Sequence, residues 1–125
     1  MVDKARARIL CTAFACGRRH DFKLFKDSKT RLHPKTQSLT DSGYLGIAKL
    51  HGNATLPKKR SKKHPLTRQD KAANRSISRR RVLNENVIGA VKKFKIVSDK
   101  YRNRRKRFAL RFNLIAGIYN FELAT

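Results

Sequence analysis

Leu83, Val87, Ala90, Val91 and Phe94 recur at steps of three and four residues. That is the spacing of a helix burying one face. Ala72, Ala73 and Ile77 extend the apolar side upstream, so the pattern predicts one long helix opening at Pro65-Leu66-Thr67 and running to about Lys95. Thr67, followed three residues later by Asp70, reads as a capping-box-like start, with an acidic residue suited to the helix dipole. Gly89 is the weak link, and in a helix facing bound backbone the expectation is that it permits close approach. A second apolar run, Phe108, Leu110, Phe112, Leu114, Ile115, Ile118, Tyr119 and Phe121, is hydrophobic on more than one side. It predicts a terminal core helix buried against several elements.

The amino-terminal half has shorter periods. Residues 8–15 (Arg-Ile-Leu-Cys-Thr-Ala-Phe-Ala) form a β-compatible run and predict a largely covered strand. A turn over residues 3–8 leads into it from Met1-Val2, a stub suited to the end of an earlier strand. Gly17-Arg18-Arg19-His20 reads as a loop, with Asp21 as N-cap of a short helix carrying Phe22, Leu24 and Phe25. His33-Pro34 starts a turn, and residues 37–40 predict a brief strand that runs straight into Asp41-Ser42-Gly43-Tyr44. Residues 44–50 predict another short helix, closed by His51-Gly52-Asn53. There are no internal repeats. The fold class expected is α/β in a single domain, with short β-strands followed by a long helix and a C-terminal core helix.

Charge changes the picture. The chain of 125 residues carries 32 Lys+Arg against 8 Asp+Glu, a formal charge of +24. Self-repulsion on that scale opposes the compact state unless a polyanion is bound, and nucleic acid is the expected partner. A membrane is not: the most apolar segment is interrupted by Arg111, Asn113 and Asn120, far short of about 18 uninterrupted apolar residues. No secretory leader pattern opens the chain, so the location expected is cytoplasmic, and nucleoid-associated if bacterial. Cys11 and Cys16 face opposite sides of a straight strand, and the histidines lack zinc-site spacing, so both thiols read as structural.

Two carboxylates are candidates for chemistry. Glu85, one of two glutamates in the chain, points away from the apolar stripe. It reads either as a surface carboxylate paired with Arg81 one turn earlier or as one kept for a metal ion beside phosphate. Asp41 ends a strand and precedes a glycine-containing turn, the place where α/β sheets gather ligands, and it reads equally as a capping residue. Lys58, Lys59, Arg60, Lys62 and Lys63 form an exposed basic loop. Tyr101, Arg102, Arg104, Arg105, Lys106 and Arg107 form a second block that suits phosphate clamping.

Four stretches in order carry a resemblance. Gly17-Arg18-Arg19-His20-Asp21 with Leu24-Phe25, Leu39-Thr40-Asp41-Ser42-Gly43-Tyr44-Leu45-Gly46, and Arg81-Val82-Leu83-Asn84-Glu85-Asn86-Val87-Ile88-Gly89 are similar to bacterial insertion-sequence transposases. The group is the DDE superfamily endonucleases, and the tail from Tyr101 to Asn120 resembles its C-terminal signature. The resemblance implies a partial RNase H-like catalytic domain over residues 1–125. It further implies that Asp41 and Glu85 are two of three carboxylates holding Mg²⁺ or Mn²⁺ for phosphodiester cleavage and strand transfer. The two basic segments would hold the backbone of insertion-sequence ends and target DNA without reading bases. The first Asp of the family lies on a strand upstream of the stretch resembling Val2-Asp3, and Asp3 matches a hairpin-turn residue instead. The expectation is therefore a truncated transposase, lacking that Asp and the N-terminal DNA-binding region. It would not cleave robustly alone, and would act only with an upstream transposase fragment or full-length transposase. The alternatives are a small basic RNA-binding protein of ribosomal type and a regulatory partner of full-length transposase.

Overall fold

The computed structural model describes residues 1–15, 17–100 and 105–125. These fall into two compact units, a central one of Ala15–Arg81 and a terminal one of Met1–Phe14 with Val82–Thr125.

In the central unit, helix α1 (Asp21–Asp27) begins one residue earlier at its cap than expected. His20 is its N-cap, its Nδ1 accepting from the Phe22 N–H, and Asp21 is instead the acidic residue of the first turn. Strands β1 (Ser38–Leu39) and β2 (Ala54–Thr55) pair in parallel, with Ser38 opposite Ala54 and Leu39 opposite Thr55. The ladder is extended by Ser38 N–H donating to Asn53 O at 3.0 Å and Thr40 N–H to Thr55 O at 3.1 Å. The crossover between them is not the helix predicted over residues 44–50. It consists of two 3₁₀ turns, Ser42–Tyr44 and Ile47–Lys49, separated by Gly46 at φ 114. A left-handed residue cannot continue a right-handed helix, and here it packs under the Phe22 ring. The second turn drives Ile47 into the centre of the unit and leaves His51 buried, its Nε2 at 2.5 Å from Thr36 O.

Helix α2 (Arg68–Val91) starts as expected from the capping box. The Asp70 N–H donates to Thr67 Oγ1 at 3.1 Å and the Thr67 N–H to Asp70 Oδ2 at 3.0 Å. It ends at Val91, short of Lys95. Lys93 and Phe94 donate to Ala90 and Val91, three residues back, and this tighter turn closes the helix before a short α3 (Lys95–Ser98). Gly89 faces open space, with nothing within 4 Å of the position a Cβ would take.

In the terminal unit the strand predicted over residues 8–15 reduces to one antiparallel bridge, Val2 to Ile9, closed by a turn with Ala7 at φ 54. No further strand pairs with this run among the described residues, so side chains of α4 (Phe108–Ala124) complete its hydrogen bonding. Asn120 takes both groups of one residue: Ile9 N–H donates to its Oδ1, and its Nδ2 donates to Ile9 O, each at 2.8 Å. Tyr119 OH donates to Ala7 O at 3.2 Å. Phe14 meets Phe108 and Phe112 edge to face at 5.8 and 5.4 Å. Cys11 is a half-buried free thiol, and Cys16 lies outside the described residues.

The core of this unit is Val87 and Val91 from α2 with Ile115 and Ala116 from α4. The expectation that α4 is a buried core helix is corrected: Leu110, Leu114 and Phe121 are 71%, 65% and 70% exposed. The terminal unit supplies cover for one side of the helix, and the second apolar side has none among the described residues. The chain is thus helical with a small parallel sheet, consistent with a partial α/β domain. No described helix is long and apolar enough to cross a membrane.

Candidate active site and basic surface

Asp41 follows directly from Thr40 at the end of β1. Its backbone is still extended at φ −91 and ψ −178, which aims the carboxylate past the strand end toward the next turn. Both readings of this residue hold in part. Its Oδ1 caps the 3₁₀ turn, accepting from the Gly43 N–H at 2.9 Å, and its Oδ2 lies 3.5 Å from a guanidinium nitrogen of Arg81. The side chains of Arg81 and Asp41 keep 29% and 38% exposure, so screening leaves the pair worth about 1 kcal/mol or less. Next to it, Arg80 donates to the Gln37 side chain at 3.2 Å, so two successive arginines of α2 meet the segment around β1.

A second carboxylate joins Asp41 here. The position a Cβ would take on Gly43 is 3.0 Å from Asp41 Oδ1 and 3.7 Å from Asp21 Oδ2, which places both acids close to that glycine. Tyr44 reports both. Burial, then Asp21, then Asp41 push its phenol above the ordinary 10.0. Spacing gave no hint of Asp21, twenty residues upstream of Asp41. The signal available was its place in the Gly17-to-Asp21 stretch that resembles transposases.

Glu85 is exposed on α2 within the terminal unit. The sequence offered Arg81 as its ion-pair partner, and that is corrected, because the guanidinium turns to Asp41. Among the described residues no three His, Cys, Asp or Glu side chains stand together where a metal ion could be shared. With both Asp41 oxygens engaged by an amide and an arginine, the described residues do not by themselves fit a divalent ion.

The basic loop is held more firmly than its composition suggests. Asn74 of α2 accepts from the Lys58 N–H at 2.8 Å and donates to Lys58 O at 2.9 Å. The Lys58 ammonium reaches both oxygens of Asp70 at 3.0 Å. Asp70 is held below the usual carboxylate range by the Thr67 N–H first, then by Lys58 and the Thr67 hydroxyl. Beyond Lys58, Ser61 and His64 close a turn: His64 N–H donates to Ser61 Oγ at 3.0 Å and Ser61 N–H to His64 O at 3.3 Å. Lys59, Arg60, Lys62 and Lys63 are exposed around it. Of the second basic block, Arg102 and Arg104 lie outside the described residues. Arg105, Lys106 and Arg107 form a 3₁₀ turn leading into α4, with Lys106 and Arg107 exposed.

The DDE superfamily endonuclease family matches residues 1–120 of the chain. A probable transposase for insertion sequence element IS702 from Microchaete diplosiphon is 42% identical over 124 residues. That match covers 99% of this chain and 45% of the relative, so the chain spans less than half the length of the protein it resembles. No solved structure matches. The resemblance to insertion-sequence transposases read from the residues therefore holds along almost the entire sequence, and the chain belongs to the DDE superfamily endonucleases.

Proposed function

We propose that this chain is the carboxyl-terminal portion of an RNase H-like transposase catalytic domain, that it grips the DNA phosphate backbone, and that Asp41 and Glu85 are the carboxylates it brings to phosphodiester cleavage and strand transfer. The observation that carries this reading is Asp41: a carboxylate at the carboxyl end of a parallel strand, counter-charged by Arg81, inside a stretch matching the family. Mg²⁺ or Mn²⁺ is the ion such oxygen ligands suit. Because the described residues do not fit one alone, cleavage in this reading requires a further carboxylate from additional polypeptide, such as an upstream transposase segment or a full-length transposase. The uncovered apolar side of α4 supports an association of that kind. DNA, at insertion-sequence ends and targets, is the substrate class, which gives the chain a nucleoid-associated place in a bacterial cytoplasm. A ribosomal-type RNA-binding role gives way to this reading because the family match spans nearly the whole chain.

The test has two arms. Duplex affinity measured by fluorescence anisotropy should fall by orders of magnitude between about 50 and 200 mM salt, and a flat response would exclude backbone binding. Nicking of supercoiled plasmid with Mn²⁺ should be absent for the chain alone and appear when an upstream segment of an IS702-type transposase is added. Robust nicking by the chain alone, abolished in Asp41→Ala, would overturn the claim that the site is incomplete.

A further inference from the structure

The loop over residues 58–64 is exposed, as expected, and is also tied down at several points. Asn74 reads Lys58 as a neighbouring strand would, engaging its N–H and its C=O together. That fixes the backbone position at which the loop meets α2. The Lys58 ammonium is turned back onto Asp70, which is itself held by the capping box with Thr67. At the far end the reciprocal bonds between Ser61 and His64 close a turn around Lys62 and Lys63. All of these residues belong to the central unit. The cations on the fixed loop therefore fall into two kinds. Lys58 already has a carboxylate, whereas Lys59, Arg60, Lys62 and Lys63 are exposed and none has a carboxylate within ion-pair distance among the described residues.

We infer that Asn74 and Asp70 are positioning residues that preorganise this loop as a phosphate-binding turn, with Lys58 used to fix the turn and Lys59, Arg60, Lys62 and Lys63 presented to the DNA backbone. The inference rests on the DNA-binding reading above and adds to it which basic residues act, and through what. Its physical basis is the ordering cost of binding: a loop already held in place loses less conformational freedom when several phosphates are engaged at once. Asn74 carries no charge and both ends of its amide are engaged by Lys58, so it is assigned an effect on DNA affinity through the position of the loop. Lys58 carries the same charge as Lys59 and is adjacent to it, yet the structure assigns the two different work. A surface in which every lysine acted as a diffuse positive charge would not separate them.

The experiment measures binding of the full chain to a labelled duplex of arbitrary sequence by fluorescence anisotropy, across about 50 to 200 mM salt. Asn74→Ala should weaken binding about fivefold while the net charge is unchanged. Lys59→Ala should reduce the slope of log affinity against log salt by about 0.9, the loss of one phosphate contact, and Lys58→Ala should leave that slope as in the wild type. Equal binding by Asn74→Ala and wild type, or an equal loss of slope in Lys58→Ala and Lys59→Ala, would overturn the assignment. If Asn74→Ala loses its helical circular dichroism, the comparison of the two surface lysines decides alone. Failure of the wild type to bind duplex would refute the DNA-binding reading itself and this inference with it. Binding by the wild type with no difference among the variants would refute only this inference.

Discussion

Changing glycine to alanine at positions 46 and 89 should move stability in opposite directions. Gly46 has φ 114 and ψ −10, a conformation that an L-residue enters at a cost of about 1–3 kcal/mol. Space is also short there, since a Cβ would lie 3.1 Å from Cε1 and 3.3 Å from Cζ of Phe22. The ring would have to move by a few tenths of an ångström, and Phe22 is half-buried on α1. Gly46→Ala should therefore destabilise the chain by about 2 kcal/mol or more, and lower Tm by roughly 8 °C if each kcal/mol is worth about 4 °C. Gly89 lies inside α2, and a Cβ added there would meet nothing within 4 Å. There the substitution brings only the helix-propensity gain, about 0.5–1 kcal/mol of added stability. Urea denaturation followed by far-UV circular dichroism measures both. A Gly46→Ala chain within about 0.5 kcal/mol of wild type would show that the turn after Asp41 tolerates a side chain. Loss of stability in Gly89→Ala would show that this face of α2 is not open.

Asn120→Ala should cost about 1–3 kcal/mol, because it strands the Ile9 N–H and C=O in a partly buried place, and the same urea titration would read it. Tyr44 should ionise above 10.0 in a 295 nm absorbance titration, assigned by difference against Tyr44→Phe. Asp21→Asn should bring that transition down further than Asp41→Asn does, following the order of the two acids' influence. Since this pKa is raised in the folded chain, its contribution to stability is complete below 10.0 and is lost as pH rises through the folded value. Asp70 has the opposite sign: its lowered pKa gives stability that is present above the ordinary 3.8 and lost as pH falls through the folded value. An acid-unfolding profile identical for wild type and Asp70→Asn would remove that contribution.

How much of this is legible in the sequence differs by residue. The capping box of Thr67 and Asp70 can be read because both partners lie within one helical turn and the chemistry is local. So can the strand leading into Asp41, where the extended run and the glycine turn after it are consecutive. The helix expected over residues 44–50 fails at Gly46, whose composition-level signal is weak while its left-handed backbone is decisive. The strand expected over residues 8–15 fails for a different cause. Its residues suit a ladder, but a ladder needs neighbouring strands, and propensity says nothing of whether they are present. The apolar pattern of α4 is plain as a pattern. What covers its second side is not written in the helix itself.

The carboxylates show the same limit where function is concerned. Arg81 stands four residues before Glu85, so a helix-surface pair is the one ionic contact that the sequence makes visible. Such a pair is worth only a few tenths of a kcal/mol, and any better-placed acid can displace it. Asp41 is that acid: its other oxygen accepts from the Gly43 N–H, which holds the carboxylate in an orientation that Arg81 can reach. The consequence bears on the proposed chemistry. In the proposed chemistry an arginine on Asp41 compensates the negative charge that a metal ion would otherwise compensate, and among the described residues no three His, Cys, Asp or Glu side chains stand together to favour the metal. In the proposed reading, completing a metal site would have to add carboxylates beside Asp41 and draw it away from Arg81. Because the pair is partly exposed and weak, the second requirement costs little beside the first.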